Sequence, residues 1–577
     1  MGKINNNEIY NQWLKPKISI FRKKNLDLSF SKLKIFVFLT VILFPFTIIY
    51  YTLLRQLNKT TQISSEVQLI NTMMKSFTAW LKEAGLDAKN HQISGMKWVY
   101  TRETAPRLGV PGGFLCDEMG LGKTILMIGA MVVNPQQKTL IVLPKSLLQQ
   151  WCGSLKKFAN IDAFIYHGAK AKRATEDDLA CQVVLTTYGM ISVRKRKKRL
   201  IHCPLWDIEW NRIIYDEAHH MRNSKSGQHA GGCRLKANIK WMVTGTPINN
   251  GRKDFYHLCS VLGLNRTFYR NREAIANTIK DCVLYRTKKS VGIKMPPLNV
   301  EIVNVSHETP EEEQFVKNIH ASAGFADVTT DNVDMVINFL NNAYNSRLPL
   351  YMLMRQGCVI PPMASDKLVQ RLINRGDFDA EDADLLACSG VSKMNAVVNK
   401  IVENRKNKGA KLIFCQFKRE IAHLKDRLTA EGFNVAVIQG STSKKDRIYA
   451  LQSPIPTEVI ASIVDAKTTS VGAGASIIPR LINSFLSPDV LIAQIQTACE
   501  GLNLQHFNEV YFTTPHWNPA VEDQSIARSH RIGQTSPVNV YKFITTFSSN
   551  GVSLDQYCLN VQQIKREAAS IIKPTKA

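Results

Sequence analysis

Three short stretches of this sequence carry residues able to hold a polyphosphate, ligate its metal and activate water. The first is DEMGLGKT, Asp117 to Thr124, between a short apolar strand and a helix. Gly120 and Gly122 let backbone N–H groups turn toward an anion, Lys123 reaches β- and γ-phosphates, and the Thr124 hydroxyl can ligate Mg²⁺. Asp117, Glu118, Met119 and Leu121 complete the loop, with Asp117 standing where the general pattern has its first glycine. The bland alternative is an ordinary glycine-rich turn.

The second stretch, IIYDEAHH (Ile213 to His220), ends an apolar run on an acidic pair. At the C-terminal end of a buried strand, Asp216 suits the Mg²⁺-side carboxylate and Glu217 the group that orients and deprotonates an attacking water. Alone, such a pair could be a solvated strand end; a phosphate loop roughly 90 residues upstream makes that the weaker reading. The third stretch, QSIARSHRIGQ (Gln524 to Gln534), offers cations for charge developing on a transferred phosphoryl group. Arg528 and Arg531, three residues apart, would share a helical face and reach across a cleft. A basic surface helix is the alternative.

Elements able to position these groups recur along the chain. Apolar strand-length runs at 139–144, 183–188, 212–219 and 241–246 alternate with helical stretches, which predicts a parallel, doubly wound sheet. A second series at 411–417, 435–440, 490–495, 509–514 and 538–544 predicts a second α/β lobe. The expected organisation is a basic N-terminal extension (1–60), a first lobe (61–285), a mostly helical, polar region (286–400), and a second lobe (401–577) interrupted by an insertion at about 454–487.

Lys plus Arg number 74 against 47 Asp plus Glu, a formal net charge of +27 over 577 residues. Such an excess calls for a polyanionic partner, nucleic acid or an anionic membrane face. The 12 Cys show neither paired nor zinc-type spacing, so no disulfide framework and no zinc site is expected, and reduced, intracellular thiols are the simplest reading. Six consecutive basic residues in VRKRKKRL (Val193 to Leu200) could grip a phosphate backbone, act as a nuclear-import signal, or form an idle solvated loop. Residues 35–54 are 20 positions without a charge, long enough as a helix for a bilayer core of about 30 Å. A membrane span, an apolar extension packed on the protein, and a start assigned too far upstream all stay open.

Together these motifs resemble the Swi/Snf family of helicase-like ATPases within helicase superfamily two, over roughly Lys89 to Ile544 and in the compact form that large DNA viruses encode. HQISGMKWVYTRE is similar to the family's adenine-side motif, which implies that Gln92 hydrogen-bonds the base. DEMGLGKT, DEAH and TGTPINN resemble motifs I, II and III, with Thr244 and Thr246 in the coupling position and His219 as a sensor. LYRTKK resembles the strand leaving the first lobe, LIFCQF and EGLNLQ motifs IV and V, and HWNPAVEDQSIARSHRIGQ the family's arginine motif. Motif V departs around Ala498, Cys499 and Glu500, where the family carries a small, glycine-rich run.

The resemblance implies two RecA-like parallel-sheet lobes with a helical region between them. It implies ATP and Mg²⁺ as cofactors and double-stranded DNA, with nucleosomes as a further partner. The expected activity is translocation on duplex DNA driven by ATP hydrolysis, in a nucleus or viral replication compartment, with membrane association through 35–54 as an added feature. The rivals are a strand-separating DNA or RNA helicase and a membrane-tethered, non-catalytic DNA-binding protein.

Overall fold

The structure is a computed structural model that describes residues 68–196, 199–249, 251–325, 328–329, 349–373, 388–407, 409–451, 488–498 and 502–570. The chain divides into two compact units, Met1–Ser76 and Phe77–Ala577, and all that follows concerns the second.

Its strands are β1 (Gly112–Leu115), β2 (Thr139–Leu143), β3 (Phe164–Tyr166), β4 (Val183–Thr187), β5 (Lys195–Arg196), β6 (Arg199–Leu200), β7 (Glu209–Asp216), β8 (Lys236–Val243) and β9 (Val283–Leu284) in the first lobe. β10 (Leu298–Val305), β11 (Ala410–Cys415), β12 (Val435–Ile438), β13 (Val490–Gln494), β14 (Phe507–Phe512) and β15 (Val538–Thr545) follow. Seven form one sheet in the order β3-β4-β2-β7-β8-β1-β9, six form a second in the order β10-β15-β14-β11-β13-β12, and β5 pairs with β6 alone. Within the two large sheets every pairing is parallel. These are the two RecA-like lobes. Every residue of β2 and β4 is buried, as a central strand covered by helices on both faces requires.

Strand order brings the chemistry together. β1 and β7 flank β8, with Leu115 and Asp216 both in register with Val243. Groups a hundred positions apart in sequence thus lie two strand spacings apart, about 10 Å. A buried ion pair fixes the register: Glu103 accepts two bonds from Arg212 of β7 (2.8 and 2.5 Å), one from Trp241 of β8 (2.8 Å) and one from Asn134 (2.6 Å). With four donors, the carboxylate keeps its charge satisfied out of water.

Three features differ from the sequence reading. Leu298–Val305, in the stretch expected to be mostly helical, is strand β10 at the edge of the second sheet. Its side chains are largely exposed, so it lacks the continuous apolar run that marks a central strand. The arginine helix Pro519–Ser529 stops before Arg531, with His530 as its C-cap, so the two arginines do not share a helical face. A tight turn replaces the last helical step, and Gln534 caps it by donating to the Ser529 carbonyl (3.2 Å) and the Gln505 carbonyl (2.7 Å). Of the basic run, Lys195–Arg196 and Arg199–Leu200 pair as two short antiparallel strands, β5 with β6, where a solvated loop was one of the alternatives.

Residues 35–54, the insertion at 454–487, and Cys499 and Glu500 of motif V lie outside the described residues. Among the described residues, no helix is long and apolar enough to cross a membrane.

Candidate active site

Helix α1 (Asn90–Thr104) and helix α2 (Lys123–Val133) enclose the glycine-rich loop. Gly122 caps α2 with φ +83° and Gly120 has φ +91°, the left-handed region open to glycine at little cost. A Cβ on Gly122 would lie 2.6 Å from Gln92 Nε2, so the side chain expected at the adenine packs against the loop itself. The Lys123 ammonium donates to the Asp117 carbonyl at 2.8 Å. Thr124 follows on the first turn of α2, half-buried.

Asp117, the departure from the phosphate-loop pattern, has a structural partner. Its carboxylate accepts two bonds from the Arg286 guanidinium (3.0 and 2.5 Å), and the same guanidinium donates to the His91 carbonyl and to Ser94 Oγ. One arginine thereby clamps the start of the loop to α1. Glu118 faces the same segment, accepting from the Lys288 backbone N–H at 2.7 Å.

Across β8, Asp216 Oδ2 accepts from Trp151 Nε1 (2.7 Å) and Oδ1 from the Glu217 N–H (3.1 Å). Burial, then the neighbouring Glu217 charge, pushes the Asp216 carboxyl up from its ordinary range. Glu217 holds φ 52° and ψ 49°, a left-handed conformation costly for a residue with a Cβ. Tyr188 secures that peptide by donating to the Asp216 carbonyl at 2.7 Å. Burial would raise the Glu217 carboxyl too, but His219, Lys123 and Arg528 outweigh it and hold it below the usual carboxylate range. His219 Nδ1 lies 3.3 Å from Glu217 Oε2 and 3.2 Å from Thr244 Oγ1. Oε2 is buried and, among the described residues, makes no well-formed hydrogen bond. A buried carboxylate oxygen that lies near an imidazole without a well-formed hydrogen bond can accept from a reactant water.

The second lobe completes the cleft through helix α3 (Pro519–Ser529). Buried Glu522 anchors it, accepting from Lys542 (2.5 Å), the His516 N–H (2.6 Å) and Gln562 (2.6 Å). Gln524 of α3 donates to Thr246 Oγ1 at 3.4 Å, joining the arginine helix to the threonine loop after β8. Arg528 is near enough to Glu217 to depress its carboxyl. Arg531 instead donates to Asn503 at 3.1 Å; burial and then Arg528 lower its own pKa. Lys123, Asp216, Glu217, Thr244 and Thr246 therefore lie together at the ends of neighbouring strands, with Arg528 acting on Glu217 from the second lobe, while Arg531 sits on the turn after α3.

An SNF2-related domain model matches residues 91–361 and a helicase conserved C-terminal domain model matches 392–533, together most of the chain. The chain belongs to the SNF2-related, helicase-like family. An Arabidopsis thaliana protein named as a SWI/SNF-related, matrix-associated, actin-dependent regulator of chromatin is 25% identical over 75% of this chain and 57% of its own length. A protein of Orgyia pseudotsugata multicapsid polyhedrosis virus, named as a global transactivator, is 27% identical over 80% of this chain and 87% of its own. The chain spans about half the length of most curated relatives it matches, the viral protein being spanned further. Among solved structures, a Sulfolobus solfataricus SWI2/SNF2 ATPase core in complex with dsDNA matches with 21% identity, 85% of this chain and 98% of that one covered, at a TM-score of 0.33.

Several residues of this SNF2-related site had no role assigned from the sequence. Arg286 and Lys288 sat in a recognised strand motif, but only the fold puts them against the loop. Trp151 carries no sequence signal, since a tryptophan in an amphipathic helix reads as core. His220, given no role by the motifs, stacks between Tyr188 (5.0 Å between ring centroids) and His219 (4.9 Å).

Proposed function

We propose that this chain hydrolyses ATP in the cleft between its two lobes and couples the cycle to movement along duplex DNA. The observation that carries the reading is that Lys123 of the loop and Arg528 of the second lobe both act on the Glu217 carboxylate, while Gln524 of the same helix reaches Thr246 Oγ1 at 3.4 Å. Lys123 would leave the Asp117 carbonyl for the β- and γ-phosphates, with backbone N–H groups of the glycine turn as further donors. Gln92, beside Gly122, would hydrogen-bond the base. Glu217, held as the anion, accepts the proton of the attacking water. Arg528 meets the charge that develops on the transferred group. Left-handed glycines, a lysine amine resting on the loop's own Asp117 carbonyl and a buried carboxylate oxygen that, among the described residues, makes no well-formed hydrogen bond fit a nucleotide with its metal. Thr124 and Asp216 would hold Mg²⁺, which supplies charge neutralisation at the phosphates.

The net charge of +27 and the exposed Lys195 and Arg199 of the β5–β6 pair support a nucleic-acid partner. The chromatin and viral names of the relatives favour duplex DNA, nucleosomal DNA included, in a nucleus or viral replication compartment. Membrane association through 35–54 rests on its uncharged length alone and is tested by partition of the full chain into vesicles. For the activity, turnover is measured with duplex DNA, single-stranded DNA, RNA and nucleosomes, on the wild type, Lys123→Ala and Glu217→Gln. The reading expects strongest stimulation by duplex and loss of turnover in both variants with DNA binding kept. Stimulation by single strands or RNA above duplex would give the function to a strand-separating helicase, and turnover above about a tenth of wild type in both variants would remove the assigned roles.

A further inference from the structure

The turn after α3 is tied to the phosphate loop by a residue that belongs to neither. Lys288 is 5% exposed. Its ammonium lies 3.3 Å from Glu118 Oε1 and donates to the His530 carbonyl at 2.9 Å. Its backbone N–H donates to the other Glu118 oxygen, and its Cε would lie 3.6 Å from a Cβ on Gly120. One buried side chain therefore touches the loop that would carry phosphates and the peptide between Arg528 and Arg531. The same segment grips that turn a second time, since His530 Nε2 lies 2.9 Å from the Pro296 carbonyl.

A buried cation is costly when any partner is withdrawn, so these contacts persist together or are exchanged together. A polyphosphate in the loop sets several negative charges beside Glu118 and draws on the Lys288 ammonium, which is compact and carries three donors. Any shift of that ammonium is passed to the His530 carbonyl, and so to Arg528 two residues earlier. We propose that Lys288 is a positioning residue which couples phosphate occupancy of the loop to the placement of Arg528. The proposal rests on the ATPase reading above.

The experiment is a double-mutant cycle on the full chain, read by single-turnover and steady-state ATP hydrolysis with duplex DNA. Lys288→Met keeps the stem and removes the charge. It should lower kcat about 10-fold or more while moving KM for ATP less than about 3-fold, and Lys288→Arg should restore most of the loss. Because Lys288 acts through Arg528, Lys288→Met should add little to the loss in an Arg528→Ala background. Glu118→Gln, which weakens the same bridge from the loop side, should show the same lack of additivity, and it carries the test if Lys288→Met does not fold. Fully additive losses, or an effect on KM alone, would overturn the coupling. Unimpaired turnover in Lys123→Ala and Arg528→Ala would instead sink the ATPase reading, whereas loss in those two with wild-type kcat in Lys288→Met would sink this proposal alone.

Discussion

Removing the Asp117 carboxylate tests whether it serves the loop as an anchor. Asp117 is 1% exposed at its side chain and Arg286 15%, and their two bonds close a clamp between the loop and α1. Breaking a buried pair by deleting one partner costs about 3–5 kcal/mol, because the remaining charge stays buried and uncompensated. Arg286 keeps two other acceptors, the His91 carbonyl and Ser94 Oγ, which places Asp117→Ala near the lower end, about 3 kcal/mol. For a lobe of this size that corresponds to a fall in melting temperature of about 6–12 °C. Thermal unfolding of the full chain followed by circular dichroism reads it directly. Arg286→Met in the Asp117→Ala background should cost less than about 1 kcal/mol further, giving a coupling of about 2 kcal/mol in the cycle. Lys123→Ala should leave the melting temperature nearly unchanged, since among the described residues its ammonium donates to a carbonyl of the loop and to no side chain. An Asp117→Ala protein within about 0.5 kcal/mol of wild type would refute the anchoring role.

Three more outcomes follow from the same geometry. Arg528→Ala should lower kcat by about 10²-fold or more with a smaller change in ATP affinity, and an effect on affinity alone would remove its transition-state role. Neutralising Lys195, Arg196, Lys197 and Lys198 together should flatten the slope of log affinity for duplex DNA against log salt by about 3, if the hairpin lies on phosphates; an unchanged slope assigns it elsewhere. His320 receives the Leu554 N–H at Nε2 (3.0 Å), Nδ1 faces the Val316 carbonyl (2.8 Å), and burial holds its pKa down at about 4. The folded value lies below the unfolded one, so this contribution is complete above about pH 6.5 and is lost as pH falls toward 4. Urea midpoints should lose about 2 kcal/mol to this group between pH 7 and pH 5, and His320→Leu should show a slope shallower by that amount; equal slopes would count against it.

Much of this site was written along the chain. A lysine after left-handed glycines, an acidic pair ending an apolar run, and runs of β-branched residues between helical stretches are local statements that neighbours a few positions away enforce. For that reason DEMGLGKT, the DEAH stretch and both strand series were readable. Their meeting followed from strand order, since β1, β8 and β7 are adjacent only because the crossovers place them so. The edge strand β10 was missed because exposed residues on an edge carry little of the burial signal that sequence patterns report. The helix end before Arg531 was missed because it is set by contacts from Gln534 and Asn503, which spacing along α3 does not reveal. Asp117 shows the division most clearly: its departure from the glycine pattern was visible in the sequence, but its partner Arg286 lies 169 positions away. The sequence by itself determined which groups could carry phosphate chemistry, through residue type and local spacing. Only the tertiary structure decided which of them face one another and which side chains hold them, because a hydrogen bond or an ion pair is set by distance in space, and folding brings together what the chain keeps apart.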